Sequence, residues 1–154
     1  MITTKELYQK AIQNEIMARN LYMYLEKAST AGEIQNKYAQ LAAFEEDHKN
    51  KLINLLNKNF PGVKVEVKES LMPDLIKSFK VADDIKEAIK LAIKLEIDAR
   101  DFYVEMAKDT SSEENRKLLL TFANEEAEHK EFLETELLQL QGLYTWYDYS
   151  ELTG

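Results

Sequence analysis

The apolar residues of this chain recur at alternating spacings of three and four, which is the pattern of a helix with one buried face. Four stretches follow this pattern and predict four helices, over residues 3–31, 33–58, 83–108 and 111–142. Thr3 and Glu6 have the capping-box spacing at the start of the first helix, and Pro61-Gly62 ends the second. Short connections within each pair of helices predict two antiparallel hairpins.

One long connection, residues 59–82, separates the two hairpins. A segment of this length reaches roughly 80 Å when extended, whereas a helix of the predicted length is roughly 39 Å long. The connection can therefore run the whole length of a bundle. We expect an all-α four-helix bundle over residues 1–142, built from two antiparallel hairpins that a long crossover joins.

Glutamates and histidines interrupt the middle of these apolar stripes. Each helix carries a glutamate on the face that the spacing assigns to the interior, and the second and fourth helices add a histidine three residues later. The six residues are Glu15, Glu45, His48, Glu96, Glu126 and His129. Residues three apart share a helix face, so each Glu-x-x-His pair can present one oxygen and one nitrogen to a metal ion.

The six residues form two matching sets. Glu45 follows Glu15 by 30 residues and Glu126 follows Glu96 by the same 30, so one half of the chain maps onto the other with an offset of 81 residues. Other residues repeat at this offset, among them a tyrosine seven positions after each lone glutamate. We interpret the pattern as an internal duplication that gives two hairpins related by pseudo-twofold symmetry.

The charge of these side chains predicts what binds between them. Four glutamates that converge on an apolar interior cannot all stay ionised without positive charge nearby. The four stripes contain no lysine or arginine. Two divalent cations balance four carboxylates, because neutral imidazoles add no charge. Mixed carboxylate and imidazole ligands suit iron, and manganese fits nearly as well, so we predict two iron ions with manganese as the alternative.

The composition narrows the choice of function. The chain has 154 residues, which fits one domain, and its net charge of −8 argues against nucleic acid as a partner. Because it contains no cysteine, it cannot form disulfides or cysteine-ligated iron clusters. The first ten residues show no secretory signal and no apolar run is long enough to span a membrane, so we expect a cytoplasmic protein without a membrane partner.

With these motifs the chain resembles the ferritin-like di-iron carboxylate proteins, in which two helices each give a glutamate and two others each give Glu-x-x-His. Over residues 3–140 it is most similar to the rubrerythrin branch, without the cysteine-ligated iron domain that full-length rubrerythrins carry. The resemblance implies that all six residues bind metal and act in catalysis, with Glu45 and Glu126 bridging the two ions. We also expect a homodimer.

The leading activity that the resemblance implies is reduction of hydrogen peroxide to water, with an external electron-donor protein restoring the iron ions. Dioxygen is the other candidate substrate, through ferroxidase activity in an iron-storing cage. Against that alternative, Glu46 stands where a haem-binding methionine follows the ligand in bacterioferritins. A metal-binding protein without turnover is a third hypothesis, and oxygenation of an organic substrate ranks lowest.

Two positions depart from the rubrerythrin pattern. Ala99 stands where rubrerythrins have a further glutamate one turn after the third-helix ligand, which weakens a strict rubrerythrin mechanism. Glu125 stands where relatives have an aspartate that hydrogen-bonds the opposite histidine, and the longer acid is able to make the same bond.

Further residues near the ligands leave alternatives open. Tyr22 and Tyr103 can donate to a carboxylate, pass an electron, or serve only as core residues. Arg19 and Arg100 can pair with the ligand glutamates or with other acids at the surface. The aromatic segment 143–154 is expected to dock on the bundle or on a second subunit.

Overall fold

The apolar stripes form long helices because little in the chain interrupts them, with four glycines and two prolines in all. The computed structural model describes residues 2–74 and 85–142. Within these ranges the chain forms no strand and four helices, which are α1 (Thr4–Ala28), α2 (Gly32–Asn59), α3 (Ile85–Asp109) and α4 (Glu113–Leu140). The all-α prediction is confirmed.

Local hydrogen bonds explain where the helices begin and end. The Thr3 hydroxyl accepts from the Glu6 amide, and the Glu6 carboxylate accepts from the Thr3 amide, which is the predicted capping box. The Ser112 hydroxyl caps α4 by accepting from the Asn115 amide. After α2, Gly62 has a φ of 87°, a backbone conformation that favours glycine over other residues.

One helix boundary differs from its prediction. The sequence predicts that α1 extends to about residue 31, but α1 ends at Ala28. The Ser29 backbone N–H makes the last helical bond, to the Leu25 carbonyl, and the extended backbone of Ser29 (φ −84°, ψ 144°) then ends the helix. The Ser29 hydroxyl also donates to the Leu25 carbonyl. Gly32 is the first residue of α2 rather than a helix stop. The predicted α3 start near residue 83 and the segment 143–154 lie outside the described residues.

The helices pack as two hairpins. α1 packs against α2, and α3 packs against α4, each pair being joined by three residues. The two hairpins meet through α1 and α3, where the Asn14 side-chain amide donates to the Leu95 carbonyl at 2.9 Å. This arrangement is the predicted four-helix bundle. None of the four described helices combines the length and the apolar character that crossing a bilayer requires.

The apolar interior consists of two clusters with polar side chains between them. The first cluster contains Tyr8 and Phe122, and the second contains Tyr38 and Ile89. Glu15 lies on α1 between residues of the first cluster and residues of the second. The predicted ligands therefore form a polar layer at mid-height, and apolar packing above and below it holds the four helices in place.

The described part of the crossover, residues 60–74, runs along the bundle. Val63 and Val65 pack on the first cluster, and Met72 packs on the second. Crossing from one cluster to the other carries the chain past the polar layer, as the length estimate predicts.

An ion-pair network fastens the crossover to the first hairpin. The Arg19 guanidinium lies 2.5 Å from the Glu46 carboxylate and 2.6 Å from the Glu69 carboxylate. The Lys49 ammonium contacts the same two acids at 2.6 Å and 3.0 Å. Asn20 adds a hydrogen bond to the Glu69 carbonyl. We call these five residues the crossover clamp, and its ion pairs compensate the burial of Lys49.

Candidate metal centre

All six predicted ligands meet in the polar layer, and none is more than 6% exposed. Two overlapping groups have ligand atoms that all lie within 4.8 Å of one another. Position A consists of Glu15, Glu45, His48 and Glu126, and position B consists of Glu45, Glu96, Glu126 and His129. Each position offers three carboxylates and one imidazole, which is enough to hold one metal ion.

Glu45 and Glu126 belong to both positions, as bridging carboxylates must. Both carboxylate oxygens of Glu126 and the Oε2 atom of Glu45 are buried without a hydrogen-bond partner. An unsatisfied buried polar atom costs about 1–3 kcal/mol. Metal ions at positions A and B would satisfy these oxygens, and the bridging role stays a prediction.

Glu15 and Glu96 are each held by a tyrosine from the other hairpin. The Tyr103 hydroxyl donates to Oε1 of Glu15 at 2.5 Å, and the Tyr22 hydroxyl donates to Oε1 of Glu96 at 2.6 Å. In both glutamates Oε2 is buried without a hydrogen-bond partner. Each glutamate thus has one oxygen fixed by a phenol and one oxygen free for a metal ion.

These contacts decide between two of the alternatives for the tyrosines. Both phenols donate to ligand carboxylates, although each crosses to the opposite hairpin instead of serving the glutamate of its own helix. Burial, followed by the neighbouring carboxylate charges, raises the pKa of Tyr22 and Tyr103 well above the usual value for a phenol. Both hydroxyls therefore keep their protons and remain donors.

Both histidines present the Nδ1 atom to the carboxylates. Nδ1 of His48 lies 2.6 Å from Glu126 Oε1 and 3.8 Å from Glu15 Oε2, yet it makes no hydrogen bond. Nδ1 of His129 lies 3.1 Å from Glu45 Oε1 and 3.6 Å from a Glu96 oxygen. A short separation without hydrogen-bond geometry at His48 fits two side chains that face the same metal position rather than each other.

The outer nitrogens of the two histidines have different surroundings. Nε2 of His48 donates to Glu125 Oε2 at 2.5 Å, which confirms the hydrogen bond predicted for Glu125. A carboxylate at this point keeps the proton on Nε2 and leaves the Nδ1 lone pair for a metal ion. At the offset of 81, the residue that corresponds to Glu125 is Phe44, whose ring centroid lies 5.4 Å from that of His129.

Without metal ions the polar layer holds additional protons. Burial raises the pKa of Glu15 and of Glu126 well above the usual carboxyl value, and the charge of a neighbouring glutamate in the polar layer is the next largest cause. The same two causes raise the pKa of Glu45 to about 7. Burial lowers the pKa of both His48 and His129, but the adjacent carboxylates outweigh it and raise each to about 12. Binding of two divalent cations has to displace these protons, because metal ligands bind in deprotonated form.

The positive side chains near the layer have other partners. Arg19 pairs with Glu46 and Glu69 in the crossover clamp, and Arg100 lies 3.5 Å from Asp101. The second of the two alternatives for these arginines, pairing with other acids, is confirmed. The carboxylates of the polar layer therefore have no lysine or arginine partner among the described residues. This strengthens the case for metal cations that bind from solution.

Two buried polar residues next to the ligands were not predicted from the sequence. Asn14 is buried next to Glu15 and bonds α1 to α3, and Lys49 is buried next to His48 in the crossover clamp. The Glu46-x-x-Lys49 spacing does predict a pair on a helix surface. Its third member, Glu69, lies in an irregular segment that helical periodicity does not address.

Comparisons with known proteins agree with this geometry. A family model described as Rubrerythrin matches residues 6–138 of the chain. A solved structure of a hypothetical protein from Pyrococcus furiosus superposes with a TM-score of 0.81 and 28% sequence identity, over 94% of each chain. Comparison with proteins of curated function gave no match. The fold is therefore a four-helix bundle of the ferritin-like type, and the matched structure carries no stated activity.

Proposed function

Because this chain belongs to the rubrerythrin family, we propose that it is a di-iron carboxylate oxidoreductase that reduces hydrogen peroxide to water. The observation that carries the proposal is the sharing of Glu45 and Glu126 between positions A and B. Two adjacent ions are suited to a two-electron reaction, because each ion supplies one electron. Manganese is the alternative metal, since the same donor set accepts it.

Iron bound at both positions would supply two electrons, so that hydrogen peroxide and two protons give two water molecules. The residues of the chain position the ions and exclude bulk water. Glu15 and Glu96 each keep one oxygen on a tyrosine, so both carboxylates stay in place when charge changes nearby. Four protein ligands at each position leave coordination sites for a small oxidant.

The electrons must come from outside the chain. It contains no cysteine for an iron–sulfur cluster, and two oxidised iron ions have to be reduced again before a second turnover. We propose a separate redox protein as the donor and a homodimer as the assembly. Gel filtration of the metal-loaded protein distinguishes a dimer from a many-subunit cage.

One observation favours a second candidate, ferroxidase activity with dioxygen. Ala99, one turn after Glu96, is 2% exposed and packs in the first apolar cluster. An alanine has no side-chain oxygen that could bind a metal ion at position B. Each position therefore keeps the same ligand set of three glutamates and one histidine. A carboxylate that exchanges with histidine as the iron changes oxidation state is therefore missing at this point of the chain.

The two reactions are distinguished by mixing the anaerobic ferrous protein with hydrogen peroxide or with dioxygen in a stopped-flow instrument. The ferric absorbance is followed in both cases. We expect one peroxide to oxidise two iron ions, and to do so faster than dioxygen does. A zinc-loaded sample is the control, because zinc binds the same ligands without changing oxidation state.

Faster oxidation by dioxygen, with iron accumulating in a large assembly, would favour ferroxidase activity instead. If neither oxidant reacts with a fully loaded ferrous protein, the metal-binding hypothesis without turnover replaces both.

A further inference from the structure

The two metal positions have the same ligand types, but the outer nitrogen atoms (Nε2) of their histidines have different neighbours. The Nε2 atom of His48 is hydrogen-bonded to Glu125, and the His48 ring packs against Phe122 at a centroid distance of 4.4 Å and an interplanar angle of 32°. These two contacts fix the ring in one orientation. A metal-bound imidazole that donates its other N–H to a carboxylate is also a stronger ligand, because the carboxylate raises its basicity.

His129 lacks the corresponding carboxylate. Phe44 takes the place of Glu125 at the symmetry-related position and meets the His129 ring at an interplanar angle of 67°. An aromatic ring offers no acceptor comparable with a carboxylate for the Nε2 proton. Among the described residues, no side chain hydrogen-bonds the Nε2 atom of His129.

A groove between α2 and α4 reaches the same histidine. It has a volume of about 270 Å³, and Phe44, His129 and Phe132 form part of its lining. Glu125 lines it as well, but the His48 ring does not. Phe44 is 47% exposed, so its ring lies at the surface. His48 is fully buried and His129 is 6% exposed. Position B therefore lies closer to solvent than position A.

We propose that the two positions bind divalent cations with unequal affinity, position A tightly and position B as the exchangeable site next to the groove. The cause is the asymmetry between Glu125 and Phe44. The inference rests on the metal binding of the proposed function and on neither of its two reactions. An ion at position B would be the one that leaves first and the one that solutes from the groove reach first.

Titration of the metal-free protein with cobalt(II), followed by calorimetry and by the visible spectrum, tests the proposal without turnover. We expect two binding steps whose dissociation constants differ by about 10-fold to 100-fold. Crystals grown with one equivalent of cobalt should show anomalous density beside His48 and little beside His129.

Substitutions at the two symmetry-related residues sharpen the test. Glu125→Gln should weaken the first step by about 10-fold or more and leave the second nearly unchanged. Phe44→Glu supplies the missing carboxylate and should strengthen the second step. The matched control is Glu128→Gln, because Glu128 also lines the groove from α4 and the change removes the same charge.

Equal density at both positions with one equivalent of cobalt would overturn the proposal. Equal losses in Glu125→Gln and Glu128→Gln would do the same, because they would show a general charge effect. If Phe44→Glu does not fold, as judged by circular dichroism, the other two measurements still decide. A protein that binds no cobalt contradicts the proposed function itself rather than this inference.

Discussion

The hairpin of α1 and α2 and the hairpin of α3 and α4 match on the inside and differ on the outside. Inside, each hairpin supplies two glutamates, one histidine and one tyrosine that crosses to the other hairpin. Outside, Arg19 and Lys49 of the first hairpin are bound by Glu69 of the crossover. Their counterparts at the offset of 81, Arg100 and Lys130, form ion pairs only with residues of their own helices among the described residues.

The difference shows which forces act on each region. The interior must hold a fixed set of charges at mid-height, so the two halves need the same residues there. The exterior is shaped by the connection between the hairpins, and one crossover can cover only one of them. Symmetry is therefore kept among the ligands themselves. It is lost where the chain path differs and at Glu125 and Phe44, which contact the outer sides of the two histidines.

The largest effect should follow from removing the residues that both halves share. Replacing Glu45 and Glu126 together by glutamine removes two of four carboxylate charges and both bridging candidates, so we expect the protein to lose both metal ions. Metal content after dialysis, measured by elemental analysis, checks this. Replacing only Glu15 or only Glu96 by glutamine should leave one ion bound. A double variant that retains two ions would show that the shared residues are not ligands.

A smaller effect concerns the pH dependence of the metal-free protein. The pKa of Glu45 is raised from 4.5 to about 7, so its contribution to stability is complete below the lower value and is lost as the pH rises through the higher one. The pKa of His48 and of His129 is also raised, to about 12 in each case. The stability that these two groups contribute therefore also falls with rising pH, beginning at the ordinary histidine value of 6.5. Each proton that only the folded state retains costs about 1.4 kcal/mol per pH unit.

We therefore expect the free energy of unfolding of the metal-free protein to fall between about pH 5 and pH 8. Urea titrations at several pH values measure it, and the zinc-loaded protein, whose ligands have already lost these protons, should instead gain stability as the pH rises towards the ordinary histidine value of 6.5. His48→Gln and His129→Gln should reduce the slope by similar amounts if the interior is symmetric. A clearly larger change in one of the two variants would show that the interior is also asymmetric.

The smallest effect tests the exterior. Arg19→Ala removes the centre of the crossover clamp and should lower the free energy of unfolding by about 1.5–3 kcal/mol, the range for hydrogen bonds to charged groups. The matched variant Arg100→Ala removes an exposed arginine and should change it by no more than about 0.5 kcal/mol. Chemical denaturation of both zinc-loaded variants gives the two values. Equal losses would mean that the clamp adds nothing to the first hairpin.

Much of the interior could be predicted from sequence because two periodicities coincide there. The spacing of three and four assigns Glu15, Glu45 and their counterparts to buried faces, and the offset of 81 groups them into two sets. These inferences need only helix geometry. The Glu125 hydrogen bond was predictable from the resemblance alone, because Glu125 stands where relatives have an acid that bonds the opposite histidine.

The remaining features depend on how the helices are placed against one another. Periodicity assigns Tyr22 to a buried face but does not state that its hydroxyl reaches Glu96 on α3. The crossover clamp depends on Glu69, whose position follows from packing of an irregular segment and not from any repeat. The meaning of Phe44 is visible only when the structure places it beside His129 at the point where symmetry would require an acid.

The buried hydrogen bond from Asn14 to the Leu95 carbonyl sets the longitudinal register of α1 against α3. A slip of one helical turn moves a side chain by about 5.4 Å, which exceeds the 4.8 Å within which the ligand atoms gather. Such a slip would also leave the buried Asn14 side-chain amide without a hydrogen-bond acceptor. One uncharged side chain thereby discriminates against misaligned packings in which the apolar stripes would still match but the two ions would have no common cage.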